Sequence, residues 1–441
     1  MNTKLLFEKA KEAGILEIEV YRVKTTESEI GIFNHNVETL NSSTSDVSYI
    51  RGAYNGHLGA VYTENNNMST EDIINTIKEN ATLININEPY FIYPGDDEYP
   101  ELKEYDGDFN EHTLAEKSEL ILALAKKVEA LDSCVACPEA SYSESSFEYV
   151  IENSNGLRVS KKGGYAYIVA EAIARKGDEV KSGYDMQLSK KYADFDVDKL
   201  AKDIVDGVVN KLGAEPIVSG SYRTVVKNSV LRSLLGAFSS VFTAEALIRK
   251  MSFLEGKEGT QVFGSNISII DDPLCELAPS QDSFDDEGVA AKTKTVVENG
   301  VFKTFLHNLK TAKMLNTTTT GNGYKAGVAS GVGVRPSNFY IAPGEKSLEE
   351  LFEICGNGFY LTDVTGLHAG INVISGDFSL QSQGFEIVDG KLGKPVNLVV
   401  ASGNIKQLLN EVLEIGNDLN FKTGSVGAPS LLVKGMSISG K

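Results

Sequence analysis

Four Asx-Gly pairs, each lying between strand-like runs, constrain the fold of this chain more than any other feature. They are Asn55-Gly56 and Asn155-Gly156 in the first half, and Asn299-Gly300 and Asp389-Gly390 in the second. Such pairs favour the tight turns that join neighbouring antiparallel strands. A parallel sheet needs long crossover connections in their place. Both halves of the chain are therefore predicted to contain mainly antiparallel sheet.

Helical patterns alternate with short strand-like runs, so the predicted fold class is α+β. Apolar residues recur every four positions over 195–212, which indicates an amphipathic helix. Thr113 and Glu116 have the spacing of a capping box at the start of another helix. A strongly apolar run predicts a long helix over 229–250. The first strands are expected over 16–23, 29–33, 46–54 and 57–62.

The length of 441 residues is enough for two or three domains, each with long helices packed on its sheet. We expect an N-terminal α+β domain over 1–216 and a β-rich α+β domain over 217–441, because a Pro- and Gly-containing break separates them. Residues 87–111 are rich in Asp, Glu, Pro, Gly and Tyr without a period, which predicts an acidic surface linker inside the first domain. Residues 310–333, rich in Thr and Gly, predict a mobile segment.

The charge balance argues against a nucleic-acid-binding function. The formal net charge is −19 and the lysine pairs are scattered, so the chain would repel a phosphate backbone. No apolar run reaches the length of a membrane span, and the chain begins with an amphipathic helix rather than a signal peptide. Four cysteines are too few for a disulfide scaffold. The sequence predicts a cytoplasmic protein without nucleic-acid or membrane partners.

No spacing pattern identifies a metal site. The five histidines lie far apart, and neither HExxH nor another helical His pair occurs. A zinc site assembled from His307, His368 and Cys355 is conceivable, but three unrelated residues are the simpler interpretation. Cys134 and Cys137 form a lone CxxC after a helix end, where packing or a loop position is expected rather than redox chemistry.

A glycine-rich stretch over 360–391 is the first candidate for the functional site. Its glycines allow tight bends or a close approach of the backbone to another group, so we place it beside the functional cleft. The alternative interpretation is a glycine-rich connection within a sheet. The candidate residues of this stretch are His368, Gly370, Ser375, Gly376 and Asp377.

An acidic group is the second candidate. Asp285, Asp286 and Glu287 could work as acid and base or hold a hard metal ion. An acidic turn before the hairpin at Asn299-Gly300 is the alternative, and it is the interpretation that the sequence alone favours. The residues by themselves assign no catalytic role in either stretch.

Three long segments resemble the TldD/PmbA family, peptidases that are also called modulators of DNA gyrase. The last of them is similar to the late signature of the PmbA branch, also called TldE. The resemblance covers nearly the whole chain. The segments are DVSYIRGAYNGHLGAVYT (46–63), IIDDPLCELAPSQDSFDDEGVAAKTKTVVENGVFKTFLHN (269–308), and TGLHAGINVISGDFSLQSQGFEIVDGKLGKPV (365–396) followed by SGNIKQLL (402–409).

One departure from the family pattern concerns the metal. TldD-type subunits carry HExxxH on the helix before the central signature, where two histidines bind zinc and the glutamate serves as base. The corresponding run here is LRSLLGAFSSVFTAEALIRK (231–250), which contains no histidine. Its absence is typical of the PmbA/TldE branch. The resemblance therefore implies no cofactor in this chain and zinc only in a TldD-like partner.

The resemblance also implies a cytoplasmic dimer in which a TldD-like and a TldE-like subunit enclose a channel that cleaves unfolded peptides. A peptide can bind there by adding a strand to a sheet edge, and the glycines around 365–384 offer such a backbone surface. The partner would be a TldD-like subunit, or a second copy of this chain. We expect a non-catalytic subunit. The alternatives are a self-sufficient hydrolase, which would need His368, Asp377 and the 285–287 acids to converge, and a protein-binding regulator of the DNA gyrase modulator type.

Overall fold

The first part of the chain forms a six-stranded sheet. The computed structural model describes residues 1–65, 67–83 and 90–441. The strands are β1 (Glu17–Phe33), β2 (Asn36–Tyr54), β3 (His57–Glu64), β4 (Val135–Asn153), β5 (Arg158–Lys176) and β6 (Glu179–Ser189). Their order is β3-β2-β1-β4-β5-β6, and all neighbours are antiparallel. The antiparallel sheet predicted for this half is therefore confirmed.

The strands β1 and β2 are longer than the hydrophobic pattern predicts. The pattern gives separate strands over 16–23 and 29–33, but β1 runs unbroken through the polar residues 24–28. These residues pair with β2 on one side and β4 on the other. Backbone hydrogen bonds to two neighbours hold a strand without apolar alternation, which is why the pattern missed this segment.

Four helices pack on one face of the sheet: α1 (Thr3–Glu12), α2 (Thr70–Leu83), α3 (Leu114–Leu131) and α4 (Val197–Val209). Helices α1 and α2 pack around Ile18 of β1, and helices α3 and α4 pack around Ile30 of the same strand. Because side chains alternate along a strand, these two even-numbered residues point to the same face. The odd-numbered residues of β1 therefore face away from the helices.

The connection after α2 is not the simple surface linker that its composition predicts. Residues 87–89 of that prediction lie outside the described residues. The remainder carries no helix or strand before a short 3-10 turn, Phe109–Glu111. Ile92 is buried, and Asp96 accepts a 2.7 Å hydrogen bond from the N–H of Ala290. Most of its described residues are exposed or half-buried, as a surface segment should be, but Asp96 and Tyr99 bond to backbone groups of the second half, which composition does not reveal.

The second part of the chain has shorter elements. Its helices are α5 (Asn228–Phe238), α6 (Ala244–Ile248), α7 (Leu309–Met314), α8 (Leu348–Cys355), α9 (Leu367–Gly370) and α10 (Ile405–Asn410). Its strands are β7 (Gly220–Val226), β8 (Ile269–Asp271), β9 (Lys294–Glu298), β10 (Val301–Phe302), β11 (Gly323–Lys325), β12 (Val332–Val334), β13 (Phe339–Ile341), β14 (Gly358–Thr365), β15 (Ile371–Asn372), β16 (Asp377–Val388), β17 (Lys391–Asn404), β18 (Val412–Ile415), β19 (Val426–Gly427) and β20 (Leu431–Ser439).

Five of these strands close on themselves. The order is β14-β7-β20-β17-β16, and β16 also pairs with β14. Only the pairing of β14 with β7 is parallel among these five. Phe359, Leu361 and Val399 from this closed sheet share one large core with Leu231 and Leu234 of α5. A smaller sheet, β10-β9-β8-β13-β19, and the pair β11-β12 complete the second half.

The long helix predicted over 229–250 is broken. Helix α5 ends at Phe238, a 3-10 turn follows, and α6 begins at Ala244. Between them, the backbone of Thr243 is extended and pairs with Leu306, while its hydroxyl accepts a hydrogen bond from the N–H of Ala246. A distant strand contact and a local cap therefore override the apolar helical pattern. The longest helix of this half has 11 residues, so its helices are not long.

Residues 310–333, predicted to be mobile from their Thr and Gly content, contain regular structure. They include most of α7, all of β11 and the start of β12. Asn322 is fully buried and its side chain donates hydrogen bonds to Asp271 and to the carbonyl of Arg335. The polar residues of this segment bond to buried groups, which composition alone does not reveal.

The predicted mixed α+β class is confirmed. The hairpins at Asn55-Gly56, Asn299-Gly300 and Asp389-Gly390 join β2 to β3, β9 to β10 and β16 to β17. The division into domains at residue 216 stays a prediction. None of the helices in the described part of the chain combines the length and the apolar character that a membrane crossing needs.

Candidate functional site

The acidic group 285–287 forms a tight turn that the backbone itself closes. The N–H of Asp285 donates to the carbonyl of Val289 at 3.0 Å, and the N–H of Gly288 donates to the carbonyl of Asp285 at 2.9 Å. The turn lies against β11, since the N–H of Asp286 donates to the carbonyl of Gly323 at 2.9 Å. This is the acidic turn that the sequence offered as one of its two interpretations.

Asp285 is held by backbone donors on both carboxylate oxygens. One oxygen accepts hydrogen bonds from the N–H groups of Glu287 and Val289, each at 3.0 Å. The other accepts from the N–H of Gly323 at 2.8 Å. Burial, together with the nearby charge of Glu287, raises the pKa of Asp285 well above its usual range. The side chain is fixed in place and exposes only 1% of its surface.

Asp286 joins the turn to the six-stranded sheet. Its Oδ1 accepts a 2.8 Å hydrogen bond from the hydroxyl of Tyr21 on β1, and its Oδ2 accepts a 2.7 Å bond from the N–H of Lys325 on β11. Burial raises the pKa of Asp286, and both hydrogen bonds oppose that rise. The same carboxylate therefore bridges residues from the two halves of the chain.

Glu287 points toward the start of α7. Its Oε2 accepts a 2.8 Å hydrogen bond from the N–H of Leu309, the first residue of that helix. Burial raises its pKa to about 7, so the carboxyl exchanges its proton near neutral pH. Gly323 packs on it so closely that a methyl group there would lie 2.4 Å from Oε2. Glu287 exposes 5% of its surface, which leaves little for a peptide to contact.

Four further charged or polar residues of this region carry no spacing signal that links them to the acids. Besides Tyr21 they are Lys325, Arg51 and Glu19. The ammonium of Lys325 lies 4.0 Å from the ring centre of Tyr49 and donates to the carbonyls of Val328 and Ser330. Burial lowers its pKa to about 8.

Arg51 and Glu19 form an ion pair across β1 and β2, with 2.8 Å between Nε and Oε1. Glu19 exposes 2% of its surface, and its other oxygen has no hydrogen-bond partner within the described parts of the chain. Strand β1 carries several other charged residues, among them Arg22 and Lys24, so its sequence pattern does not single out Glu19 for this pair.

The glycine-rich stretch lies elsewhere, on the closed sheet. Gly370 ends α9, and a methyl group there would come within 2.3 Å of the carbonyl oxygen of Ser379. Gly376 has a φ of +88° in the turn before β16. The close approach and the tight bend expected of these glycines are therefore both confirmed.

The polar residues of this stretch make a local cluster on the surface. The hydroxyl of Ser375 donates to Asp377 at 2.6 Å, and the amide of Asn404 donates to the same carboxylate at 2.7 Å. These bonds, that of Asn404 first, lower the pKa of Asp377. His368 is exposed, and it makes no hydrogen bond or ion pair with any residue that the structure describes. This cluster orders a loop and contains no activated nucleophile.

The two candidate stretches do not share contacts. Across residues 1–65, 67–83 and 90–441, no hydrogen bond or ion pair links His368 or Asp377 to the acids at 285–287. The same residues contain no group of three or more His, Cys, Asp or Glu side chains arranged to hold a metal ion. Peptide binding by either stretch stays a prediction.

The run 231–250 does not fit a zinc ion. Leu231, Leu234 and Phe238 of this run are buried in the core. Its ionisable residues are three cations, Arg232, Arg249 and Lys250, and the single carboxylate of Glu245. Zinc in proteins takes imidazole, thiolate and carboxylate ligands, usually three or four together. Apolar, hydroxyl and cationic side chains cannot supply that set.

Sequence comparison places most of the chain in known domains. Residues 107–212 match the PmbA/TldA metallopeptidase central domain, and residues 219–440 match the PmbA/TldA metallopeptidase C-terminal domain. The chain is 28% identical to an uncharacterized protein of Methanocaldococcus jannaschii, with 96% of each chain aligned. It is 26% identical to the metalloprotease PmbA homolog of Haemophilus influenzae over 68% of this chain and 64% of that protein.

Solved structures agree with this assignment. A Thermotoga maritima protein, described as a candidate modulator of DNA gyrase, superposes with a TM-score of 0.92 and 31% identity over 99% of each chain. TldE of Thermococcus kodakarensis superposes with a TM-score of 0.90 at 22% identity, over 99% of this chain and 100% of that one, which is a likeness of fold. The chain belongs to the PmbA/TldD metallopeptidase family.

Proposed function

We propose that this chain is a non-catalytic, TldE-like subunit of a metallopeptidase complex that degrades unfolded peptides in the cytoplasm. One observation carries the proposal: a member of this family has only apolar, hydroxyl and cationic side chains and one carboxylate over 231–250, where zinc-binding subunits carry HExxxH. A TldD-like subunit would then supply the zinc and cleave the peptide bond. This chain would complete the chamber and hold the substrate, and a homodimer is the alternative assembly.

The geometry of the two candidate stretches supports a scaffolding function. The carboxylates at 285–287 accept hydrogen bonds from backbone N–H groups of β11 and α7, and Asp286 also accepts one from Tyr21 of the first half. The loop around Asp377 is ordered by Ser375 and Asn404. The hydroxyl of Ser375 does donate to the carboxylate of Asp377, but the lowered pKa of that carboxylate makes it a weak base. A self-sufficient hydrolase would need a base that takes up a proton near neutral pH beside its nucleophile.

The proposal is tested by comparing the chain alone with the complex recovered from its native cell. The zinc content is measured by elemental mass spectrometry, and peptidase activity is measured as cleavage of an unfolded peptide. We expect the chain alone to carry far less than one zinc per molecule and to leave the peptide intact. The native complex should contain a TldD-like chain with zinc and should cleave the peptide until a chelator is added.

A matched pair of variants sharpens this test. His368→Ala and Glu287→Gln alter the two groups that an atypical hydrolase site would use, and neither should abolish cleavage by the complex. Stoichiometric zinc together with hydrolysis by the chain alone would overturn the proposal, and loss of that hydrolysis in His368→Ala would support the self-sufficient hydrolase.

A second candidate is a protein-binding regulator of DNA gyrase. It is favoured by the description of the Thermotoga maritima relative. The net charge of −19 would suit binding to a basic surface of a large partner. Affinity capture of the chain from its native cell separates the two candidates: recovery of gyrase subunits supports the regulator, and recovery of a TldD-like chain without gyrase supports the peptidase subunit.

A further inference from the structure

Around residues 27–33 of β1, the face of the six-stranded sheet opposite the helices is exposed. Ile30 and Ile32 of β1 are buried against α3 and α4, whereas Glu27, Glu29 and Phe33 are exposed. The alternation of side chains places the exposed residues on the face opposite the helices. Nearer the start of β1, the same face is covered, because Tyr21 and its neighbours pack on residues of the second half.

Two adjoining cavities lie on this open face. Their volumes are about 330 Å³ and 430 Å³, and Glu29 lines both. The first is lined from β1, β2, β4 and β5, and the second reaches as far as Tyr184 on β6. Neighbouring strands are about 4.8 Å apart, so a groove crossing five strands is roughly 19 Å long. An extended peptide of about six residues has that length.

The groove has unbalanced negative charge. Its cavity linings contain Glu27, Glu29, Glu38, Glu139 and Glu171 and no lysine, arginine or histidine. None of the five side chains forms a hydrogen bond or an ion pair with any residue in 1–65, 67–83 or 90–441. Glu144, which also borders the groove, differs because Lys117 of α3 neutralises it at 2.7 Å.

Two of these acids oppose each other directly. Glu139 of β4 and Glu171 of β5 are cross-strand partners, and like charges in that position destabilise a sheet. Tyr184 continues the same row on β6, and 69% of its surface is exposed. An aromatic face beside unpaired carboxylates attracts ammonium and guanidinium groups. A second copy of this chain would present the same negative face and be repelled.

We propose that this groove binds an extended peptide segment that carries lysine or arginine. The inference rests on the proposed function, because it names the class of peptide that the subunit holds. The acidic turn lies further along the same face of β1, where that face is covered: Tyr21 is on the same side of the strand as Glu29 and is bonded to Asp286. Eight residues of strand separate the two positions by roughly 26 Å.

Peptide binding by the full-length chain tests the proposal. The probe is a fluorescent, unstructured peptide of about eight residues in which lysine alternates with serine. Its counterpart has glutamate in place of lysine. We expect the cationic peptide to bind at least about tenfold more tightly than the anionic one, with an affinity that falls as salt is added.

Two variants with the same change in charge locate the site. Glu139→Gln/Glu171→Gln removes two acids from the groove, and Glu8→Gln/Glu79→Gln removes two exposed acids from α1 and α2. The groove variant should weaken binding of the cationic peptide about tenfold, and the helix variant should change it less than twofold. The groove variant loses a like-charge repulsion and is expected to fold, which circular dichroism checks.

Equal affinities for the cationic and the anionic peptide, or equal effects of the two double variants on binding, would contradict the proposal that the groove binds a cationic peptide. Binding of spermine with no binding of the lysine peptide would also overturn it, because the site would then take a small cation only. A separate measurement, peptide cleavage, tests the proposed function. Cleavage of the peptide by the chain alone would contradict the non-catalytic assignment. If the complex cleaves the cationic peptide equally well with and without the Glu139→Gln/Glu171→Gln change, only the groove proposal is contradicted.

Discussion

The hydroxyl of Tyr21 donates a 2.8 Å hydrogen bond to the carboxylate of Asp286, 265 positions further along the chain. Tyr21 lies in the first strand of the six-stranded sheet, and Asp286 lies in the acidic turn of the second half. The other oxygen of Asp286 is bonded to the N–H of Lys325. A single buried carboxylate therefore connects the sheet, the turn and β11.

Replacing Tyr21 with phenylalanine should destabilise the fold. Tyr21→Phe keeps the ring and leaves a carboxylate oxygen of Asp286 without its donor in a buried site, which costs about 1–3 kcal/mol. Urea unfolding followed by circular dichroism measures the loss. Tyr62→Phe is the matched control, because Tyr62 is exposed and its hydroxyl donates to the carboxylate of the exposed Glu64. Equal unfolding midpoints for the two variants would contradict the bridging function of Tyr21.

Gly323→Ala should be destabilising although its backbone tolerates a side chain. The added methyl group would lie 2.4 Å from Oε2 and 2.8 Å from Cγ of Glu287, and that carboxylate is held by the N–H of Leu309. Overpacking of this kind costs about 1–3 kcal/mol. Gly331→Ala is the control, since an added methyl group there meets no described atom within 4 Å. Thermal unfolding should show a lower midpoint for Gly323→Ala than for Gly331→Ala.

The local elements of the fold were predictable and their extents were not. The turn at Asn299-Gly300 and the capping box of Thr113 depend on residues within a few positions of each other, so the sequence contains their whole cause. The break at Thr243 depends on its pairing with Leu306, and the unbroken course of β1 depends on β2 and β4. Contacts between distant segments decided where each helix and strand ends.

The candidate site was predictable only in part for the same reason. The acids at 285–287 stand out in the sequence, and Gly370 and Gly376 of the other stretch show the expected close approach and tight bend. Their partners Tyr21 and Lys325 are an ordinary tyrosine and lysine that matter because the fold brings them to Asp286. The sequence favoured an acidic turn over a hard-metal site. No spacing rule relates residues so far apart, however, so it could not identify the partners that hold the turn.

The CxxC pair should be unreactive in the folded chain. Burial raises the pKa of Cys137 to about 12, and the hydrogen bond with Asp132 raises that of Cys134. Thiol reactions need the thiolate, so both residues should alkylate slowly at pH 8. Mass spectrometry after iodoacetamide should find them unlabelled when free glutathione is fully labelled, and labelled once guanidinium is added. Rapid labelling, or a mixed disulfide with glutathione, would revive a redox role.

The stability of the fold should fall as pH rises from about 4.5 to 7 because of Glu287. Its pKa rises from 4.5 in the unfolded chain to about 7 in the folded one, so the folded state binds the proton more tightly. Below pH 4.5 the Glu287 carboxyl is protonated in both the folded and the unfolded chain, so it does not change the stability. Between 4.5 and 7 the unfolded state releases its proton while the folded state keeps it, and stability declines by up to about 3 kcal/mol. Above pH 7 Glu287 is ionised in both states, and the loss of stability has reached its full value.

Glu287→Gln isolates this contribution from the other carboxylates of the protein. Glutamine keeps an oxygen that can accept from the N–H of Leu309, but it cannot ionise. The difference in unfolding free energy between the native chain and this variant should therefore change across pH 4.5 to 7, with the variant gaining at the higher pH. Glu79→Gln, at an exposed position on α2, should follow the native profile throughout. If the native chain and Glu287→Gln instead show parallel profiles, folding does not raise the pKa of Glu287, and its carboxylate is hydrated or paired with a cation in the folded protein.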